Sequence, residues 1–463
     1  MPRTRKPIPS KNDLARPSKT ARTGFRSFFY DCLCARKDLE RLCRSQPKHS
    51  PAGRPPKLPL PHLLLALVFH AAMTANSLAE NLYLLLGLAM SDAALSERRA
   101  TLPWDIVHGL LTRALRPLAT RKRHPQAFYR RWRLTALDAT QFSLLNTPLL
   151  LKRFRKKKTR KGKAAFPKLS VSVLLEIGLH QPLAAAIGRK GESEWPLSVR
   201  LLSLLPRGCL LLGDRLYGCA AFVAQALDQC VARGSDFLFR ARLGLKALPV
   251  RRLTDGSRIV RLAVRKPKSG RILRHIEVRE ILVVVSRPGF KSHKVRLWTS
   301  ILDPASAPAE ELVRLYAQRW EQELYFRQMK LELHRSNLLH GQTPQTVAQE
   351  VAALILATSL LAHQRAYAAD PHHPALRVSF LKTLELLRPF WIILALAGDL
   401  LTEDQMRLLH ARILRFLRSQ LTPPRRARSC QRKVRQPVTK WPRLLDLYYE
   451  QGDLQFAVLQ NNP

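Results

Sequence analysis

Acid is what this chain has least of: 33 Asp and Glu stand against 79 Lys and Arg in 463 residues, for a net charge of +46 and an isoelectric point near 11.2. Self-repulsion on that scale opposes a compact state unless a polyanion neutralises it. Nucleic acid is therefore the partner to expect, with an anionic membrane surface as runner-up. Long apolar runs are scarce as well. The longest, at 63–69, 351–361 and 391–397, fall well short of the roughly 20 residues of a membrane span and read as buried helices, so no membrane is expected. The seven cysteines are an odd number without CxxC spacing. That argues against a zinc ribbon or a disulfide framework and leaves free thiols, several of them in the core. The basic start MPRTRKPIPSKND has no apolar stretch behind it, so no secretory signal is marked and the expected location is cytoplasmic. Internal repeats are absent too.

What is present is a 46% hydrophobic composition and a length suited to about three domains, which describes a folded protein with a sizeable core. Residues 1–57 hold 15 Lys and Arg against four acids, among scattered Pro and Ser, and are expected to form a DNA-touching arm, loosely ordered at its start. Residues 58–132 begin with helical patterns (PHLLLALVFHAAMTANSLAENLYLLLG, then LPWDIVHGLLTRAL) and are expected to bind DNA. The break near 74–77 leaves both a helix-turn-helix and a plain helical hairpin open. From 133 to 242 the order is three strands, a helix, a strand, a helix and a strand: RLTALDATQF, FPKLSVSVLLEIG, LAAAIGRK, EWPLSVRLLSLL, CLLLGDR, GCAAFVAQALDQC and SDFLFRAR. This is the order of an RNase H-like α/β domain with a mixed sheet. Residues 243–304 alternate β-branched and basic residues between the turn signals DG, KSG and RPGF, which predicts a β-rich insertion with a basic face. Residues 305–342 return to the α/β core on a helix. Residues 343–463 are mostly helical and carry the basic stretch PPRRARSCQRKVRQPVTKWP.

Three acids stand out. Asp138 is the only acid between Arg113 and Lys168, a stretch holding 18 Lys and Arg, and it ends the apolar strand LTALDAT. A lone carboxylate at a strand end in a positive field suits a metal ligand; a turn-forming Asp is the other reading. Asp214 follows LLLG at a second strand end. Acids terminating adjacent parallel strands converge at one sheet edge, where open α/β sheets hold their ligands. Glu323 lies in YAQRWEQELYFRQMK (316–330), where Tyr316, Arg319, Glu323 and Lys330 fall at offsets 0, 3, 7 and 14. At about 100° per residue they share roughly 60° of one helix face. A solvated, salt-bridged helix face is the alternative. Delivered to the same edge, Glu323 would complete a two-metal site of hard oxygen ligands, suited to Mg²⁺ or Mn²⁺ rather than zinc.

LDAT, GDRLY and the spacing of Tyr316, Arg319, Glu323 and Lys330 resemble the DDE transposases of bacterial insertion sequences, in particular the group with a YREK signature around the catalytic Glu. The resemblance covers roughly 135–330. It implies an RNase H-like catalytic domain with a β-strand insertion between the second Asp and the Glu. It implies that Asp138, Asp214 and Glu323 ligate two Mg²⁺ or Mn²⁺ ions. It further implies that Tyr316, Arg319 and Lys330 grip the DNA end. Arg215 and Tyr217 would support the second Asp or touch DNA, with packing the other reading of Tyr217. Trp298 lies where some members stack a flipped base, and a core residue of the strand is its alternative. The run KRFRKKKTRKGK (152–163), with Lys156, Lys157 and Lys158, is expected in a loop beside Asp138 that holds DNA, a solvated charge run being the alternative. The implied partners are transposon inverted-repeat ends, target DNA and a second copy in the DNA complex, with the C-terminal helices and tail as candidates for dimerisation. The implied location is nucleoid-associated. The sequence departs from the family at Ala139, where a Gly often follows the first Asp, and at Leu216. Three other classes stay open: a nuclease of the same fold, a catalytically inactive transposase-derived DNA-binding protein, and an RNA-associated basic protein.

Overall fold

The computed structural model describes residues 24–44, 57–73, 76–156, 158–159, 162–267, 269–287, 290–398, 400–423 and 455–458. Its centre is a mixed sheet of β1 (Trp132–Ser143), β2 (Lys168–Glu176), β3 (Gln181–Ile187), β4 (Cys209–Gly218) and β5 (Asp236–Ala241). Their spatial order is 3-2-1-4-5, with β1, β2 and β3 antiparallel, and β4 parallel to both β1 and β5. Helices Glu194–Leu202 and Ala220–Val231 make the two crossovers. That order and these directions are the RNase H-like topology.

The central strands read as near-continuous apolar runs because both faces are covered. The period of two sends Leu134, Ala136, Val171, Val173, Leu210 and Leu212 to one face, where they join a core with Tyr325 and Leu354. It sends Leu137, Leu174, Leu211 and Phe237 to the other, against Leu201, Phe222 and Val223 of the crossover helices. Asp138 and Asp214 continue the first series, so both face the helix that carries Glu323.

The insertion strands β6 (Leu248–Arg252), β7 (Arg258–Arg265), β8 (Ile272–Arg287) and β9 (Phe290–Thr299) extend the same sheet, because β9 pairs antiparallel with β5. A final strand, β10 (Gln455–Val458), lies along the second half of β8, beyond the stretch that β7 pairs. Buried Glu280 and Arg296 form an ion triad with half-buried Arg258 inside the insertion.

Helices flank the sheet. Leu60–Met73 is buried along 63–69, and Pro344–Ala368 is buried around almost its whole circumference. The latter contacts Leu60–Met73, Trp104–Ala114, Glu403–Ser419 and β3. It alone among the described helices is long and apolar enough to cross a membrane, and 94% of its most apolar window is buried in protein. Part of the N-terminal arm folds: Gly24–Cys32 and Arg36–Arg44 are helices, with Phe28, Phe29, Leu39 and Leu42 buried in the core. Their apolar residues recur at helical spacing, and this outweighs the charge around them. Leu60–Met73 is a core helix, and its apolar middle is not free to read DNA. Residues 424–450, with most of the basic tail, lie outside the described residues. The six described cysteines are free, and Cys32, Cys34, Cys209 and Cys230 are buried.

Candidate active site

Asp138 and Asp214 stand one residue beyond the last register pair of β1 and β4, Leu137 and Gly213. Neighbouring strands lie about 4.8 Å apart, so the backbone sets the two acids side by side at the point where the strand order reverses. Asp138 Oδ1 accepts the Ala139 N–H at 2.8 Å. Asp214 Oδ1 accepts the Leu216 N–H at 2.6 Å, which holds the GDRLY turn whatever the side chain at 216. Burial pushes the Asp138 carboxyl up to about 7; the Ala139 N–H opposes this, Asp214 and Glu194 reinforce it, and Arg319 opposes it again.

The segment carrying Glu323 is not one uniform helix. It runs as α-helix Ala309–Tyr316, a 3₁₀ turn Ala317–Arg319, α-helix Trp320–Arg327 and a π-helix Gln328–Leu333. Single-turn π segments recur at functional sites, and here the wider turn alters the angle at which Lys330 leaves the axis. The Gln322 amide donates to Val173 O at 3.2 Å and ties the helix to the sheet. Buried His180 bonds Glu321 at 2.8 Å and Gln328 at 2.7 Å, bracketing Glu323 from the β2–β3 turn.

Arg319 is central. Its Nη2 donates to Glu323 Oε1 at 3.0 Å, and its Nη1 lies 3.7 Å from Asp138 Oδ2, with its side chain 17% exposed. The Tyr316 hydroxyl donates to Gly213 O at 3.2 Å, next to Asp214, and burial pushes that phenol up to about 12. Lys330 Nζ donates to Gln141 O at 2.7 Å. The structure thus gathers Asp138, Asp214, Tyr316, Arg319, Glu323 and Lys330 around one end of β1 and β4.

It does not gather the rest. Tyr217 is fully buried; its hydroxyl donates to Glu194 Oε1 at 2.7 Å and meets Ser198 at 3.1 Å, so it is a packing residue with no surface for DNA. Trp298 is 1% exposed, its indole N–H donating to Glu280 Oε2 at 3.0 Å, and is therefore core of the insertion and not a stacking platform. Arg215 is exposed beside Asp214, and Lys156 is half-buried. Lys157, and the side chain of Lys158, lie outside the described residues. Glu194 and His180 were missed. An acid in a helix-opening ESEW in so basic a chain was the available signal for Glu194; His180 gave none.

Among the described residues no three His, Cys, Asp or Glu come close enough together to hold a metal. The chemistry of the pair Asp138 and Asp214 still fits: Mg²⁺ needs only one or two carboxylates, with waters and substrate phosphates completing its shell. Glu323 is committed to Arg319, whose guanidinium supplies positive charge between the acids.

Residues 131–360 match the family described as transposase DDE domain. The chain belongs to the DDE transposases. Transposase InsG of insertion sequence element IS4 from Escherichia coli strain K12 is 28% identical over 235 residues. The match spans 50% of this chain and 52% of that protein, about half of each. A piggyBac transposase synaptic complex with hairpin DNA aligns with 86% of this chain and 87% of its own, at 10% identity and a TM-score of 0.44. The matched stretch of the DDE transposase begins just before β1 and ends inside Pro344–Ala368. It therefore takes in both aspartates, the insertion and Glu323.

Proposed function

We propose that this chain binds the terminal inverted repeats of an insertion sequence, cleaves the DNA ends and joins them to target DNA by metal-dependent phosphoryl transfer. The observation that carries the reading is the side-by-side placement of Asp138 and Asp214 at the strand-order reversal, with Arg319 and Glu323 facing them. Asp138, Asp214 and Glu323 are assigned as the catalytic, metal-holding carboxylates, with two Mg²⁺ or Mn²⁺ ions as cofactors. Bound metal would lower the pKa of the attacking water or 3′-hydroxyl and neutralise the leaving oxygen.

The protein's own residues have defined tasks in this reading. Asp138 gives up its proton before its carboxylate ligates, a step that its raised pKa places near neutrality. Glu323 joins the site when Arg319 turns from it toward a phosphate, exchanging a carboxylate partner for a phosphodiester. Tyr316, Arg319, Lys330 and exposed Arg215 then hold the DNA end, and Lys156, Lys157 and Lys158 are assigned as further DNA contacts. We assign 133–242 and 305–342 to the catalytic core, 243–304 to the insertion, 58–132 to DNA binding and 343–463 to pairing of two copies. The location is cytoplasmic, at the nucleoid.

The test is purified full-length protein with Mg²⁺ and duplexes bearing the element's own ends. Asp138→Ala, Asp214→Ala and Glu323→Ala are each expected to abolish cleavage while DNA binding persists, and EDTA to abolish it in the wild type. Cleavage retained in any one of the three would remove that residue from the site. Nicking without 3′-OH joining would reduce the protein to a nuclease of this fold. Binding with neither would mark an inactive DNA-binding descendant.

A further inference from the structure

A second group of cations lies beside the acids and takes no part in their ion pairs. Lys330 Nζ, besides its bond to Gln141 O, lies 4.8 Å from the centroid of the Phe142 ring. Lys168 Nζ donates to Ser143 Oγ at 2.6 Å, and Asn337 Nδ2 reaches the same hydroxyl at 3.3 Å. Ser143 and Lys168 are register partners across β1 and β2, so both ammonium groups sit over the last three residues of β1. Among the described residues, neither lysine lies within 4.0 Å of a carboxylate. Their partners are a carbonyl, a hydroxyl and an aromatic face. These orient an ammonium without neutralising it, and each lysine has three N–H donors, of which the named bonds use one.

Two like charges brought together half-buried are unfavourable on two counts, lost hydration and mutual repulsion. Both act here: the Lys330 ammonium is pulled down to about 8, first by burial and then by Lys168. Ordinary structural lysines find an acid or turn to water. A pair fixed by neutral groups with donors to spare is what an anion needs. The position narrows the anion. Gln141 lies three residues beyond Asp138 on β1, about 10 Å at 3.3 to 3.4 Å per residue. That is within about three nucleotides of the phosphate at the acids, taking a rise of about 3.4 Å per nucleotide.

We propose that Lys168 and Lys330 together bind one backbone phosphate of the DNA strand that passes the acid site, with Ser143 and Asn337 positioning Lys168. The inference rests on the transposase reading and adds Lys168 to it as a DNA-binding residue.

The experiment is equilibrium binding of the full chain to a fluorescent DNA duplex, by anisotropy, between 50 and 200 mM salt, in EDTA so that no cleavage intervenes. Each phosphate contact contributes about 0.9 to the slope of log affinity against log salt. Lys168→Met is expected to lower the slope by about that amount, so that the affinity ratio of wild type to variant shrinks about 3.5-fold across this range. Lys168→Gln, which keeps a donor for Ser143 but no charge, reads the same and guards against a folding defect in the first variant. Lys168→Arg retains the slope. Ser143→Ala removes an anchor and no charge, and also retains it. The double variant with Lys330→Met loses less than twice the single effect, because the two lysines share a phosphate. An unchanged slope in both Lys168→Met and Lys168→Gln, against a steep wild-type slope, overturns the phosphate site while DNA binding stands. A flat wild-type slope removes the DNA reading itself, and the pair's role with it.

Discussion

Asp138 is an acid held where its own charge is unwelcome, so its neutral isostere should make a more stable and inactive protein. Burial is the largest cause, and Asp214 and Glu194 add repulsion. The folded carboxyl titrates near 7 against the usual 3.8. A pKa raised by folding means that the unfolded chain releases the proton first. The stability tied to this group is therefore complete below about pH 4 and lost as pH rises through about 7. A shift of roughly 3 units corresponds to about 4 kcal/mol above pH 7. Asp138→Asn escapes that cost and keeps an oxygen for the Ala139 N–H, and the attraction of Arg319 for the carboxylate is already contained in the net shift. The expectation is a gain of about 4 kcal/mol at pH 8 in EDTA, or roughly 4 °C in melting temperature for 463 residues at about 2 cal/mol/K of unfolding entropy per residue. Thermal melts of both proteins from pH 4 to pH 8 would measure it. The advantage should be small at pH 4, grow to pH 7 and then stay level. Adding Mg²⁺ should narrow it by stabilising only the wild type. An Asp138→Asn protein no more stable than wild type at pH 8 in EDTA would refute the reasoning.

Arg319→Met leaves Asp138 and Glu323 without their shared cation, so we expect a loss of about 1–3 kcal/mol in EDTA, largely recovered in Mn²⁺, as read by melting; a loss that metal leaves untouched would show that Arg319 serves the fold and not the acids. Trp298→Phe should cost about 1 kcal/mol through the lost bond to Glu280 and leave the rate and products of DNA-end cleavage unchanged; selective loss of hairpin products in a normally folded variant would return Trp298 to the DNA. Gly218→Ala would bring a Cβ to 2.0 Å from Arg240 O, forcing β4 and β5 apart just beyond Asp214. Its expected outcome is a cost of at least about 3 kcal/mol together with lost cleavage, and a stable, active variant would contradict the backbone path described for β4.

The central sheet and the acids at its edge were legible in the sequence for a physical reason. A strand buried on both faces must be an unbroken apolar run, so the polar residue that ends it, Asp138 or Asp214, marks the sheet edge by itself. Glu323 was legible through helical spacing, because residues at nearby angles share a face wherever the helix lies. The rest depended on contacts between distant segments, which no local pattern encodes. Arg319 was legible as a cation on the face of Glu323, but its second acid, Asp138, comes from a distant strand and only the fold brings it there. Tyr217 and Trp298 look available because aromatic rings suit both cores and bases, and their burial is decided by Glu194 and Glu280 reaching them from elsewhere in the chain. The π-turn at Gln328–Leu333 was hidden as well, since an offset of fourteen residues assumes one helical pitch throughout.

The helix Pro344–Ala368 sets a schedule for the newborn chain. Leu60–Met73 buries its apolar residues against a partner that the ribosome makes some 270 residues later. At about 5–20 residues per second, that delay is roughly 15–55 s. Throughout it, the side of Leu60–Met73 that meets Pro344–Ala368 lacks its native cover, although Arg36–Arg44 and Leu78–Leu86 already pack on the helix, and a message cut short before codon 344 yields an N-terminal helical region without its central member. Early stop mutations in this gene should therefore produce aggregates and not small soluble DNA-binding fragments, and the supply of finished protein should respond to chaperone capacity as much as to transcription.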